Sequence, residues 1–378
     1  MKNHCLLFLF LSCLSYGQFE AVDKKMMQIP DSLTTSTTKI AAYISSNFNT
    51  SNDKIRAVFF WTASTISYDV ANMSNQDPNQ TEEIKIKKTL QSKKGVCMHY
   101  TAVFNDLANK VGVRTYIIEG YTKQYGKIAT LGHSWCASQL DGKWLLFDPT
   151  WGSGYVLNQM YVKKLNNSFF KAEPSNFILS HMPFDYLWQF LSSPVTNLEF
   201  MGGKVDPKKT RIVCDFQTQI DRYDTLSQAD RAFEAAERIE SNGLLNKLIV
   251  DQYSFKKKDF TILKANKNIE KLNVVVVNYN EAIGLLNDFS RFRFKKFQPA
   301  QSDEMLRKNM QELSDKMNKC KIDVYNIGSV GAENTSNLSN LKKMILDAVE
   351  QTEKQKTFLD TYLSKGLVGR KLMVSKFR

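Results

Sequence analysis

The chain has 378 residues, 43% of them hydrophobic and 12% aromatic, without a collagenous or low-complexity tract. That make-up excludes a fibre or a disordered chain and is long enough for two domains, each with its own core. A formal net charge of +13 permits contact with anionic polymers or lipids, but the lysines are scattered more than clustered, so a solvated basic surface is the plainer account and nucleic acid is not expected as a partner.

Residues 1–17 run from one lysine through an apolar stretch, Cys5 to Leu14, to Ser15-Tyr16-Gly17. The stretch is too short to cross a bilayer, and its flanks suit a secretory signal peptide cut near Gly17. The mature protein is therefore expected to be secreted or periplasmic. A lipid anchor at Cys13 is the rival reading, against which Phe10 and Leu11 make a poor lipobox. Of six cysteines, Cys97, Cys136, Cys214 and Cys320 remain after such a cut, too few and too dispersed for a disulfide framework.

Helical spacing of apolar residues runs from Ser36 to Asn47 and from Asp53 to Tyr68, with Asn52 or Asp53 able to cap the second helix. The polar stretch that follows is a loop by composition. Residues 83–95 allow a short helix ending at Gly95. After Cys97, one face collects Val103, Phe104, Leu107, Ala108 and Val111, and Gly112 stops the helix. The period then changes. "VRTYIIEGY" and "GHSWCASQLDGKWLLFDPTW" are rich in β-branched and aromatic residues, and Asp141-Gly142 between two alternating arms predicts a hairpin.

Helices first and strands next indicate an α+β domain with an antiparallel sheet over residues 18–205. Residues 206–378 are expected to be mostly helical, including "VVVV" at 274–277, whose flanks keep the longer period. The helix after Thr225 or Ser227 ends before Gly243. Two further stripes, Ile269 to Leu286 and Leu338 to Tyr362, read as faces of a bundle.

The hairpin carries the chemistry. With a two-residue turn, Leu140 faces Lys143, and continuing the register outward sets Trp135 against Asp148 and His133 against Thr150. His133 and Asp148 are then diagonal neighbours on one face. A carboxylate in that place fixes the tautomer of the ring and supports its imidazolium. Cys97, at a helix N-terminus behind Gly95, has unpaired amides and the helix dipole to favour its thiolate. Cys97, His133 and Asp148 together form a candidate acyl-transfer triad. Alone, each has a plainer explanation: a packed thiol, a structural histidine, a turn former before Pro149. Cys136 is the rival nucleophile, but its parity points it away from His133. A zinc site from Cys97, His99, His133 and Cys136 fits poorly, because the one-residue gap between Cys97 and His99 is unlike ordinary ligand knuckles. No cofactor or metal is expected. His99 reads as a surface or packing residue, and Trp61 as core.

At these residues the sequence resembles the transglutaminase-like superfamily, which shares a papain-type core. "GVCMHYTAVFNDLANKVGVRTYIIEGY" is similar to the family's nucleophile helix and following strand, and "GHSWCASQLDGKWLLFDPTWG" to its histidine strand, Asp-Gly turn and aspartate strand. The resemblance implies Cys97 as nucleophile, His133 as general base and acid, and Asp148 as orienting carboxylate. "FILSHMPFDYLWQFLSSPVTNLEF" looks like the extension of a kyphoscoliosis-peptidase-like branch, so the likeness runs from near Asp53 to Phe200. It implies a protein or peptide substrate and either hydrolysis or transamidation of amides. His99 and Cys136 stand where many members carry other residues. The helical C-terminal half is a candidate contact for an envelope partner, and a non-catalytic scaffold is the reading from another class.

Overall fold

The structure, a computed structural model, describes residues 19–75, 77, 80–203 and 212–375. The expected signal peptide, residues 1–17, lies outside them, as does the expected boundary between residues 205 and 206.

Residues 19–26 are helical, and after them come α1 (Thr37–Asn47) and α2 (Ser51–Thr65). The cap of α2 is Thr50, whose hydroxyl oxygen accepts the Asp53 amide at 3.0 Å, rather than Asn52 or Asp53. The helix stops at Thr65, and Ser67–Tyr68 forms a short strand, β1, parallel to β2 (Lys94–Gly95). Between them, α3 (Glu82–Ser92) ends on Lys93 in the left-handed conformation, so Gly95 belongs to the strand and not to the helix end. Then α4 (Cys97–Lys110) buries Tyr100, Val103, Phe104, Leu107 and Ala108, one face at helical spacing. Trp61 is core, 2% exposed.

The antiparallel sheet has the order β4-β3-β5-β6, from β3 (Thr115–Gln124), β4 (Lys127–Ile128), β5 (His133–Leu140) and β6 (Lys143–Phe147). Helix α4 and the helices before it cover one face, where Phe104, Phe147, Cys136 and Leu140 share a core. Trp135, Ala137, Trp144 and Leu146 point the other way, into a second cluster with Phe177 and Leu187. After β6, a one-turn helix, α5 (Pro149–Ser153), leads to the hairpin β7 (Gly154–Leu157) and β8 (Met160–Lys163). A last strand, β9 (His181–Pro183), pairs with β3. This pairing needs Gly120, because a Cβ there would stand 2.2 Å from the Met182 carbonyl oxygen and 2.4 Å from the Trp135 ring.

Two compact units divide the chain, 1–226 with 234–256, and 227–233 with 257–378. The first unit thus holds α6 (Phe216–Tyr223) and parts of α7 (Gln228–Ser241) and α8 (Lys247–Phe294). Arg238 of α7 explains part of that extension: its guanidinium donates to both Asp185 oxygens, at 2.7 and 2.8 Å, with both side chains nearly buried. Ser227 caps α7, accepting the Asp230 amide at 3.2 Å.

The second unit is helical: most of α8, then α9 (Asp303–Tyr325), α10 (Ala332–Leu363) and α11 (Leu367–Ser375). Residues 274–277 are helical, as the longer period indicates. The α8 stripe is Leu272, Val275, Tyr279, Ala282 and Leu286, with Val276 turned outward. Leu338, Leu341, Ile345, Ala348 and Leu359 of α10 face the same cluster. Among the described residues, no helix is long and apolar enough to cross a membrane.

Candidate active site

Cys97 opens α4. Val96 before it is extended, and its carbonyl accepts the amides of His99 and Tyr100 at 2.8 and 3.2 Å. Cys97 is therefore the first helical residue, and its amide is among those without a partner inside the helix. Cys97 is a half-buried residue, and its thiol lies at the positive end of the helix dipole. His99 secures this turn: its ring is 7% exposed, and Nδ1 accepts the Val96 amide at 3.2 Å. It is a packed capping residue. Gly95 makes room for it, since a Cβ at residue 95 would stand 2.5 Å from the His99 Cβ.

His133 and Asp148 reach the site through the hairpin. Asp141 and Gly142 both have positive φ, 50° and 77°, the turn type that matches the strand twist. Leu140 faces Lys143 and the register holds out to Cys136 against Phe147. There β6 gives way to α5, so His133 pairs with Gly120 of β3 and not with Thr150. The diagonal relation survives this change: His133 Nε2 lies 2.8 Å from Asp148 Oδ2. Trp151 stacks on the His133 ring at 5.5 Å.

Asp148 is fully buried and caps α5, with Pro149 at the first helical position. Its Oδ1 accepts the amides of Thr150 and Trp151, at 2.8 and 3.1 Å. With His133 on Oδ2, the carboxylate is held in one plane by both ends of the same motif.

The charges follow from these contacts. Burial alone would push the Cys97 thiol up, but hydrogen bonding and charge from His133, helped by Ser134, bring it below its ordinary value. Burial also opposes charge on His133. The Asp148 carboxylate and the Cys97 thiol outweigh it and raise the ring. Asp148 is buried too, yet the imidazoles of His133 and His181 hold it well below the usual carboxylate range. With Nε2 of His133 engaged by Asp148, Nδ1 is the nitrogen left for the thiol. Cys97 and His133 thus favour the thiolate–imidazolium form. Tyr68, which β1 sets beside Gly95, flanks them. Its phenol is pushed up to about 12 by burial and by the charges of Cys97, Asp148 and Asp69.

Cys136 is on the other face of β5. It is fully buried in the core beneath α4, its Sγ lies 3.7 Å from the Thr101 carbonyl oxygen, and burial raises its thiol well above the ordinary value. The four cysteines of the described residues are all free.

His181 was not singled out by sequence reasoning. Strand β9 brings it to the same carboxylate, with Nε2 3.2 Å from Asp148 Oδ2. It lies 33 residues from Asp148, and no local pattern links the two. The signal available was scarcity: the chain has four histidines, and this one sits in the extension "FILSHMPFDYLWQF". His133, Asp148 and His181 are also the group, among the described residues, whose donor atoms lie close enough to share a metal ion, all within 4.8 Å of one another. The direct hydrogen bonds among them account for that spacing. The zinc grouping weighed from the sequence is not assembled, since Cys136 faces the opposite core and His99 is turned to its own helix cap.

Residues 38–149 match the family model described as the transglutaminase-like superfamily. Over these residues the chain is similar to that superfamily. The kyphoscoliosis peptidase of Homo sapiens is 27% identical over 195 residues, covering 50% of this chain and 29% of the relative. The Mus musculus protein of the same name is 30% identical over 156 residues, 39% of this chain and 23% of the relative. Hillarin of Drosophila melanogaster is 22% identical over 202 residues, 48% of this chain and 24% of the relative. The chain thus spans less than a third of the length of each of these relatives. It combines a transglutaminase-like core with a helical C-terminal region.

Proposed function

We propose that the protein is a thiol enzyme that hydrolyses amide bonds of proteins or peptides through a Cys97–His133–Asp148 triad. The observation that carries this reading is the 2.8 Å bond from His133 to the buried Asp148, with the other nitrogen of the ring left for a thiol at a helix N-terminus. The Cys97 thiolate adds to the carbonyl carbon, and the Cys97 amide donates to the oxyanion. His133 then gives its proton to the departing amine as the C–N bond breaks, leaving a thioester. Water attacks the thioester while His133 takes its proton, and the thiolate leaves with the acid product released. Asp148 orients the ring throughout and supports its positive charge without taking the proton.

Hydrolysis is preferred to transamidation because two of the matched relatives bear the name peptidase. The apolar leader, residues 1–17, supports action outside the cytoplasm, secreted or periplasmic. The helical C-terminal region is then a surface for an envelope-associated partner.

The test is incubation of the mature protein and Cys97→Ser with a denatured protein mixture and a biotinylated amine, followed by mass spectrometry. Cleaved or deamidated products that depend on Cys97 support the proposal. Amine incorporation in their place converts it to a transglutaminase, and no Cys97-dependent product favours a scaffold.

A further inference from the structure

We infer that His181 is a positioning residue of this site, its Nε2–H filling the second lone pair of Asp148 Oδ2 and so holding the carboxylate that orients His133. The inference rests on the proposed triad and goes beyond it by assigning the second imidazole.

Tautomer and charge of His181 follow from its partners. An ionised carboxylate only accepts, so Nε2, 3.2 Å from Oδ2, carries a proton. On the other side, Nδ1 lies 2.8 Å from Ser180 Oγ. That hydroxyl has a second acceptor, the Phe177 carbonyl, only at 3.5 Å. It therefore donates to Nδ1, and the ring is neutral with Nδ1 as acceptor. Its surroundings require the same: Phe177 stacks on it at 4.0 Å, Trp151 lies 4.5 Å away and Trp135 meets it edge-on at 5.2 Å. Burial in this aromatic box pulls the ring down to about 4, further than the carboxylate pulls it up.

The two imidazoles on Asp148 are thus set apart by what the second nitrogen of each ring meets. That of His133 meets the Cys97 thiol, and that of His181 meets a serine hydroxyl. The His181 side chain is fully buried and acts through Asp148. With it, all four acceptor sites of the carboxylate are filled: two amides on Oδ1 and two imidazoles on Oδ2. Without it, a fully buried carboxylate loses a donor and its plane is free to turn away from His133.

The test compares His181→Gln, whose amide N–H can occupy the Nε2 position, with His181→Leu, which fills the box without a donor. The readout is the alkylation rate of Cys97 near pH 6. The leucine variant is expected to slow by about tenfold or more, and the glutamine variant to stay within about threefold of wild type, as loss or retention of one charge-assisted bond requires. Wild-type reactivity in the leucine variant, or equal slowing in both, overturns the inference. Should the leucine variant not fold, nitrogen-15 NMR of wild-type histidines decides. A neutral Nε2–H tautomer at His181 supports the assignment, and an Nδ1–H tautomer or a charged ring overturns it. An ordinary thiol at Cys97 in the wild type would instead sink the triad itself, which separates the two failures.

Discussion

His133 and His181 reach the same oxygen of Asp148, at 2.8 and 3.2 Å, from strands on opposite sides of β3. One ring is raised by that carboxylate and the other, sealed among aromatic rings, is lowered despite it. A pair of titratable groups pushed apart in this way marks which one exchanges protons.

Opposite shifts give stability an acid and an alkaline limb. His181, with an ordinary value of 6.5 and a folded value of about 4, binds its proton in the unfolded chain first, so stability falls as pH drops through that window. His133 is the reverse: its contribution is complete below 6.5 and is lost as pH rises through about 10. Asp148, being depressed, contributes above the unfolded carboxylate value and loses that contribution in stronger acid. Urea unfolding of wild type and His181→Gln measures the acid limb. The difference between them should change by on the order of 3 kcal/mol between about pH 6.5 and pH 4, with the variant the flatter. Parallel curves would contradict a buried neutral His181.

Asp148→Asn should keep the α5 cap through its remaining oxygen but set an amide against two imidazoles that donate. A loss of about 10²-fold or more in Cys97 alkylation near neutral pH is expected, with a smaller loss of stability. Asp148→Ala should lose both, adding about 1–2 kcal/mol for the cap alone. Thermal unfolding beside alkylation separates the two effects, and a variant that alkylates normally would remove Asp148 from the account.

Gly120→Ala places a Cβ on the Met182 carbonyl and the Trp135 ring, which cannot both yield without moving β9. Destabilisation of about 3 kcal/mol or more is expected, together with loss of the His181–Asp148 bond. Hydrogen exchange at Lys123 and Phe184, whose amides donate to the Ser180 and Glu119 carbonyls, reads the β9 pairing directly. Unchanged protection there would contradict the packing described.

Arg238→Ala leaves Asp185 buried without its guanidinium and should cost about 3–5 kcal/mol. For the same reason, a chain ended at residue 205 should be less stable than one ended at 256, judged by urea unfolding. Equal stability of the two would show that α7 is not part of the fold of the core.

The sequence was most legible where a local rule set a long consequence. Asp141-Gly142 dictated the hairpin register, and that register, continued by the α5 cap, brought His133 to Asp148 across 15 residues. Gly112, with φ 85°, ended α4 where its lack of a side chain suggested. Legibility stopped where contacts depend on tertiary closure. His181 arrives by a strand pairing that Gly120 permits, and nothing near residue 181 announces its partner. The inward position within 274–277 was not legible: the core takes Val275 and leaves Val276 outside, because in a run of four valines composition cannot say which one faces in. Similarly, the sequence offered Asn52 or Asp53 as the α2 cap from a polar run that extends from Asn49 to Asp53, and only the backbone turn selects Thr50. His99 was ambiguous for a physical reason too, since its role depends on the space that Gly95 leaves.

The central claim is that Cys97 is a nucleophile activated by His133. Its most direct test is the pH dependence of Cys97 alkylation, followed by mass spectrometry, in the wild type and in His133→Ala. The account predicts a wild-type midpoint below the ordinary thiol value of 9.0, rising above the wild-type midpoint when the imidazole is removed. A common midpoint near the ordinary value in both proteins would contradict it.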